Sequence, residues 1–160
     1  MVWTRARRVA ALWPAALLLA GIGGCEAPEA PSRFRSTYHL GEYEGGLGYS
    51  QAVKVGKTIY ISMTLPVDAQ GQLISPDDMG GQLGAVYTNL ATTLKANGAG
   101  FENVAVERLY TTDMPKLIAL ADQRLKVYSK DNLPAASFIE VKHLADPGFL
   151  VGVELVAELP

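Results

Sequence analysis

One cysteine and two histidines in 160 residues are too few for a zinc cage or a disulfide framework. No loop spaces its carboxylates as a hard cation would need. Charged residues make up 19% of the chain and hydrophobic ones 49%, which excludes a disordered or coiled-coil chain. The net charge is −2 and the basic residues form no patch, so nucleic acid is not an expected partner. No internal repeat is visible. The length suits one domain with a sizeable core.

Apolar length is concentrated at the start. Arg5, Arg7 and Arg8 precede a run from Val9 to Ile22 that is broken by Pro14. The run is too short for a spanning helix of about 20 residues, and it reads as an export signal over residues 1–24. Cys25 directly follows Ile22-Gly23-Gly24. That order resembles the lipobox of bacterial lipoproteins, with Cys25 the lipidated first residue of the mature chain. The other reading is ordinary secretory cleavage nearby, with Cys25 a chance thiol. Glu26 after it favours the outer membrane on the periplasmic side, and Arg7-Arg8 leaves twin-arginine export open. Residues 25–36, with Pro28 and Pro31, read as a tether, and 37–160 as the domain.

Within the domain, Gln51–Val55 and Thr58–Met63 read as strands joined at Gly56-Lys57. After a loop rich in Gly, Pro and Asp, Asp77 or Asp78 caps a helix carrying Leu83, Tyr87, Leu90 and Leu94, and Asn97-Gly98 stops it. Val104–Thr111 is a strand, and Asp113-Met114-Pro115 opens a helix with Leu117, Ala121, Leu125 and Tyr128 on one face. Strands Ala136–Val141 and Leu150–Ala157 flank a turn at Asp146-Pro147-Gly148. This order predicts an α/β domain, a mixed sheet with two helices on one face. The other face needs cover, which oligomerisation would supply.

Three groups of residues, in this order and spacing, carry a resemblance. They are Gly48-Tyr49-Ser50-Gln51-Ala52-Val53 with Val55–Ser62, Asn97-Gly98-Ala99-Gly100 with Thr112-Asp113-Met114, and Pro134–Val141 with Leu144 and Val153-Glu154. Together they resemble the RidA (YjgF) family over residues 37–158. The resemblance implies a chorismate-mutase-like fold, a homotrimer, and a ligand cleft between subunits. It implies hydrolysis of 2-imino acids such as 2-iminobutanoate to 2-oxo acids and ammonia, without a cofactor. It also implies an arginine in a Pro-Ala-Arg-Ser motif that clamps the substrate carboxylate, and a glutamate near the C-terminus that handles water.

At the arginine position this chain has Ala136. A methyl group offers neither the charge nor the paired donors of a guanidinium. Losing one partner of a buried charged pair costs about 2–5 kcal/mol. By strand alternation Phe138 shares the face of Ala136, and it stands where many active members carry a small or polar residue. A cleft with Ala136 and Phe138 would suit a neutral or flat ligand. Met63 stands where the family usually has glycine, and it would block backbone approach.

Each remaining candidate has two readings. Glu154 is a cleft carboxylate able to take a proton from water, or a solvated strand residue on the face opposite Val151, Val153 and Leu155. Tyr49 is a cleft hydroxyl or an aromatic closing the sheet edge; Ser62 and Thr64 would border the ligand. Arg108 or Lys142 could replace the missing cation, and His143 reads as a turn histidine. The leading expectation is a trimeric, lipid-anchored protein that binds or modifies a small ligand without standard deaminase activity. The alternatives are an active enamine/imine deaminase using Glu154 and water, and a non-catalytic trimeric interaction protein.

Overall fold

The computed structural model describes residues 34–160. The export signal, Cys25 and the tether up to residue 33 lie outside the described residues. Six strands form one sheet: β1 Arg35–Tyr38, β2 Ala52–Val55, β3 Thr58–Thr64, β4 Val104–Thr111, β5 Ala135–Glu140 and β6 Val151–Glu158. Their spatial order is β1-β2-β3-β6-β4-β5. Only β4 and β5 run parallel, so the sheet is mixed as the sequence predicts. Strand β1 takes in Arg35 and Ser36, which the sequence reading assigned to the tether.

Local chemistry sets the element ends. Gly56 turns the β2–β3 hairpin at a φ of 61°, a conformation that side chains disfavour. The long helix α2, Met79–Ala96, starts where the Asp78 carboxylate accepts the Gly80 amide at 3.0 Å. It ends at Asn97-Gly98 as expected. Asp113 caps the next helix by accepting the Lys116 amide at 3.0 Å. That helix is two short pieces, α3 Met114–Ala119 and α4 Ala121–Leu125, broken at Leu120. A one-turn helix, α1 Tyr43–Gly46, precedes β2.

The core lies between the helices and one sheet face. Leu83, Val86, Leu90 and Leu94 of α2 meet Ile59 and Ile61 of β3, Leu109 of β4, and Val151, Val153 and Leu155 of β6. Each such side chain contributes about 1.5–3 kcal/mol by leaving water. Alternation sends the intervening residues, Tyr60, Ser62, Arg108, Tyr110 and Glu154 among them, to the opposite face. The long helix α2 packs on the other face, over β3 and β6. No helix among the described residues is long and apolar enough to cross a membrane.

Candidate functional site

Tyr49 and Ser62 come together. They border one cavity of about 480 Å³, with Arg35 and His39 beside them. The Ser62 hydroxyl donates to the Ser50 carbonyl at 2.9 Å, and its amide donates to the Gln51 carbonyl at 2.9 Å. The hydroxyl proton is thus committed, while its oxygen can still accept. Burial raises the Tyr49 phenol above its ordinary pKa; the Glu44 charge adds to this, and a hydrogen bond with Tyr43 opposes it. Thr64 turns inward. Its hydroxyl accepts from Gln51 Nε2 at 2.6 Å and donates to the Ser62 carbonyl at 3.1 Å, so it is held internally.

Glu154 occupies a different cavity, about 370 Å³, bordered by Met63, Tyr110 and His143. It is the cross-strand partner of Arg108, whose Nη1 donates to Glu154 Oε1 at 2.8 Å. The Tyr110 hydroxyl donates to the other oxygen at 3.0 Å. Burial, then the hydrogen bond and charge of Glu154, raise the Tyr110 pKa. Arg108 is therefore engaged as a partner of Glu154. Met63 lies over Gly152, where an added Cβ would come within 2.9 Å of Met63 Cγ. Lys142 and His143 are exposed beyond β5.

Ala136 and Phe138 sit elsewhere again. Both are on edge strand β5, in register with Glu107 and Leu109, so they point to the helix-covered side, away from Glu154. Phe138 is 41% exposed and packs under the Arg124 guanidinium, 5.6 Å from its ring centre. Arg124 belongs to a cluster that the sequence reading missed. Its Nε and Nη2 both contact Glu107 Oε2 at 2.6 Å. The hydroxyls of Tyr87 and Tyr128 donate to Glu107 Oε1 at 2.8 and 2.9 Å. With Glu107 wholly buried, every charge there has a partner.

Within one protomer the candidates thus occupy three places, and β6 and β4 separate β3 from β5. Among the described residues no group of three or more His, Cys, Asp or Glu is placed to hold a metal.

The sequence model of the family described as Endoribonuclease L-PSP matches residues 45–159. A protein named 2-iminobutanoate/2-iminopropanoate deaminase from Capra hircus is 36% identical over 110 residues, 68% of this chain and 78% of that protein. A RutC family protein from Sulfurisphaera tokodaii is 33% identical over 96 residues, covering 60% and 76% respectively. Among solved structures, a member of the YjgF/YER057c/UK114 family from Mycobacterium tuberculosis aligns with a TM-score of 0.68 at 28% identity. The alignment covers 79% of this chain and all of that one.

The chain belongs to the RidA (YjgF) family.

RidA membership accounts for the mixed sheet with its helices on one face. The matched stretch includes Tyr49, Ser62, Ala136, Phe138 and Glu154, and it begins just after Glu44. Glu44 is a buried carboxylate that the sequence does not single out. It is fully buried, and one of its carboxylate oxygens has no hydrogen-bond partner. Nothing in a single glutamate beside Tyr43 and Gly45 signals such burial.

Proposed function

We propose that this RidA-family chain is a lipid-anchored envelope protein that binds or modifies a small ligand in a cleft between copies of a homotrimer. It does so without standard 2-imino acid deaminase activity. The observation that carries this reading is that Ala136 stands where the family's carboxylate-clamping arginine would be. Ala136 presents a methyl group, Arg108 is paired with Glu154, and Arg124 is paired with the buried Glu107. A carboxylate ligand would have to break one of these pairs or turn to Arg35, which borders the cavity of Tyr49 and Ser62.

The placement of the candidates supports a shared cleft. Tyr49 and Ser62 lie toward the β1–β3 side of the sheet, and Ala136 and Phe138 lie on the far edge strand. Only a second copy would bring the two sets together. In that cleft Phe138 supplies a flat apolar surface, Tyr49 a hydroxyl, and Ser62 an acceptor oxygen. No cofactor is invoked. The net charge of −2 favours a small molecule over RNA.

The second reading, an active imine deaminase, rests on relatives that carry that name at 36% identity. It would use Glu154 to activate water, which first requires the Arg108 contact to loosen. The two readings separate in one assay. An amino-acid oxidase generates imino acids beside the purified chain or its Ala136→Arg variant, and semicarbazide traps what is not hydrolysed. The proposal expects the native chain to be inert and the arginine variant to gain hydrolysis. Efficient hydrolysis by the native chain would overturn it.

A further inference from the structure

A third cavity, of about 300 Å³, lies between α1, the loop over residues 65–73 and the turn over residues 145–149. It is complete within one protomer, and Tyr49 is the one residue it shares with the cavity at Ser62. Its volume falls at the small end of ligand sites.

The lining has a definite chemistry. Three aromatic rings, Tyr43, Tyr49 and Phe149, face the space, with Gln51 and Thr64 as its polar floor. Gln51 is 2% exposed, and its Nε2 is committed to Thr64. Among the described residues no hydrogen bond reaches its Oε1, which leaves one acceptor for a donor-bearing guest. The Tyr43 wall is fixed by close backbone approach. A Cβ on Gly41 would come within 2.5 Å of the Tyr43 ring, and one on Gly71, at a φ of 79°, within 3.0 Å. Both glycines thus let the Tyr43 ring pack directly against the backbone.

The sign of the site is negative. Asp146 lines the cavity, and among the described residues no lysine or arginine does. The buried Glu44 interacts with Tyr43 and Tyr49, and its Oε1 has no partner. Its Oε2 meets the Leu40 amide at 3.1 Å and His39 Nδ1 at 3.2 Å. His39 is thus the one titratable base facing Glu44. Aromatic faces attract cations through their quadrupole, and nearby carboxylates reinforce that attraction. An anion would meet the reverse of both.

We infer that this cavity is a second ligand site, one that takes a small organic ammonium ion against the rings of Tyr43, Tyr49 and Phe149, with Gln51 accepting from its N–H. The site needs neither the trimer nor the cleft of the proposed function.

Calorimetric titration of the full chain with benzylammonium chloride, benzyl alcohol and sodium benzoate tests it. The expected result is saturable binding of benzylammonium, weaker binding of the alcohol, and none of benzoate. Asp146 is exposed and its Oδ1 accepts the Gly148 amide at 2.8 Å, a contact that an asparagine oxygen can keep. Asp146→Asn should therefore weaken ammonium binding about two- to fivefold, the scale of one solvent-screened charge, and leave the alcohol unchanged. Glu44→Gln should weaken it further. Benzoate binding as tightly as the amine, no saturable heat with the amine, or no effect of either substitution would overturn the inference. No imine is present, so this result stands apart from the deaminase assay.

Discussion

Arg108 and Glu154 face each other directly across the β4–β6 ladder, with the guanidinium Nη1 2.8 Å from the carboxylate. The best candidate base and the best candidate replacement cation therefore hold one another. The side chains are 39% and 33% exposed, so the pair contributes less to stability than its geometry suggests. Arg108→Met should lower unfolding stability by no more than about 1 kcal/mol, read from urea midpoints. Glu154→Gln should lower the raised Tyr110 pKa toward that of a free phenol, because the charged acceptor is gone. Ultraviolet titration beside a Tyr110→Phe control resolves that shift, and an unchanged value would mean that burial alone sets it.

The second ion pair should behave in the opposite way. Glu107 is wholly buried, and Arg124 is its one cationic partner among the described residues. Arg124→Met leaves that charge uncompensated and should cost about 3–5 kcal/mol. Replacing both residues with apolar ones should cost less than the single change, since no orphan charge remains. Parallel denaturation curves of the single and double variants give the comparison. Equal losses would show that the orphan charge costs no more than the two tyrosine hydroxyls left without an acceptor.

Alkaline pH should unfold the domain through the same cluster. Burial, then the charge of Glu107 and the hydrogen bond to it, raises the pKa of both Tyr87 and Tyr128. Unfolded tyrosine titrates near about 10. Below that pH both states keep their protons and the contribution is complete. As pH climbs above it the unfolded chain loses protons first, so stability falls toward the raised folded values. Tyr128→Phe should flatten that decline between about pH 10 and 11, measured as the urea midpoint at each pH. A decline of unchanged slope would place the responsible groups elsewhere.

Membrane attachment should depend on one residue. If Cys25 carries the lipid, Cys25→Ala moves the protein from the membrane fraction to the soluble fraction of lysed cells. Retention of the variant in membranes would point to an anchor other than that thiol.

Much of the fold was legible because its signals are local. Val151, Val153 and Leu155 alternate with Glu154, and that period placed Glu154 on the uncovered face correctly. Asp78 and Asn97-Gly98 marked the ends of α2 by capping chemistry alone. The break at Leu120 was hidden, because Leu117, Ala121, Leu125 and Tyr128 keep helical spacing through it; yet Leu125 is 40% exposed. Strand β1 was missed because Arg35–Tyr38 is short and mostly exposed, with little alternation to read.

The site was legible in pieces. Tyr49 and Ser62 do share a cavity, and Ala136 and Phe138 do share a strand face. The faces those pieces occupy depend on register, which the sequence does not carry. The cluster of Glu107, Arg124, Tyr87 and Tyr128 joins β4, α4, α2 and the turn after α4, and each member reads locally as an ordinary helix or strand residue. Glu44 was invisible for the same reason: its burial is set by the chain folding over α1.

The central claim is that Tyr49 and Ser62 meet Ala136 and Phe138 only between copies. Sedimentation velocity of the purified chain tests it most directly. The account predicts a single species near three times the mass of one purified chain. A monomer at micromolar concentration would contradict it, because the two halves of the proposed cleft would then never come together.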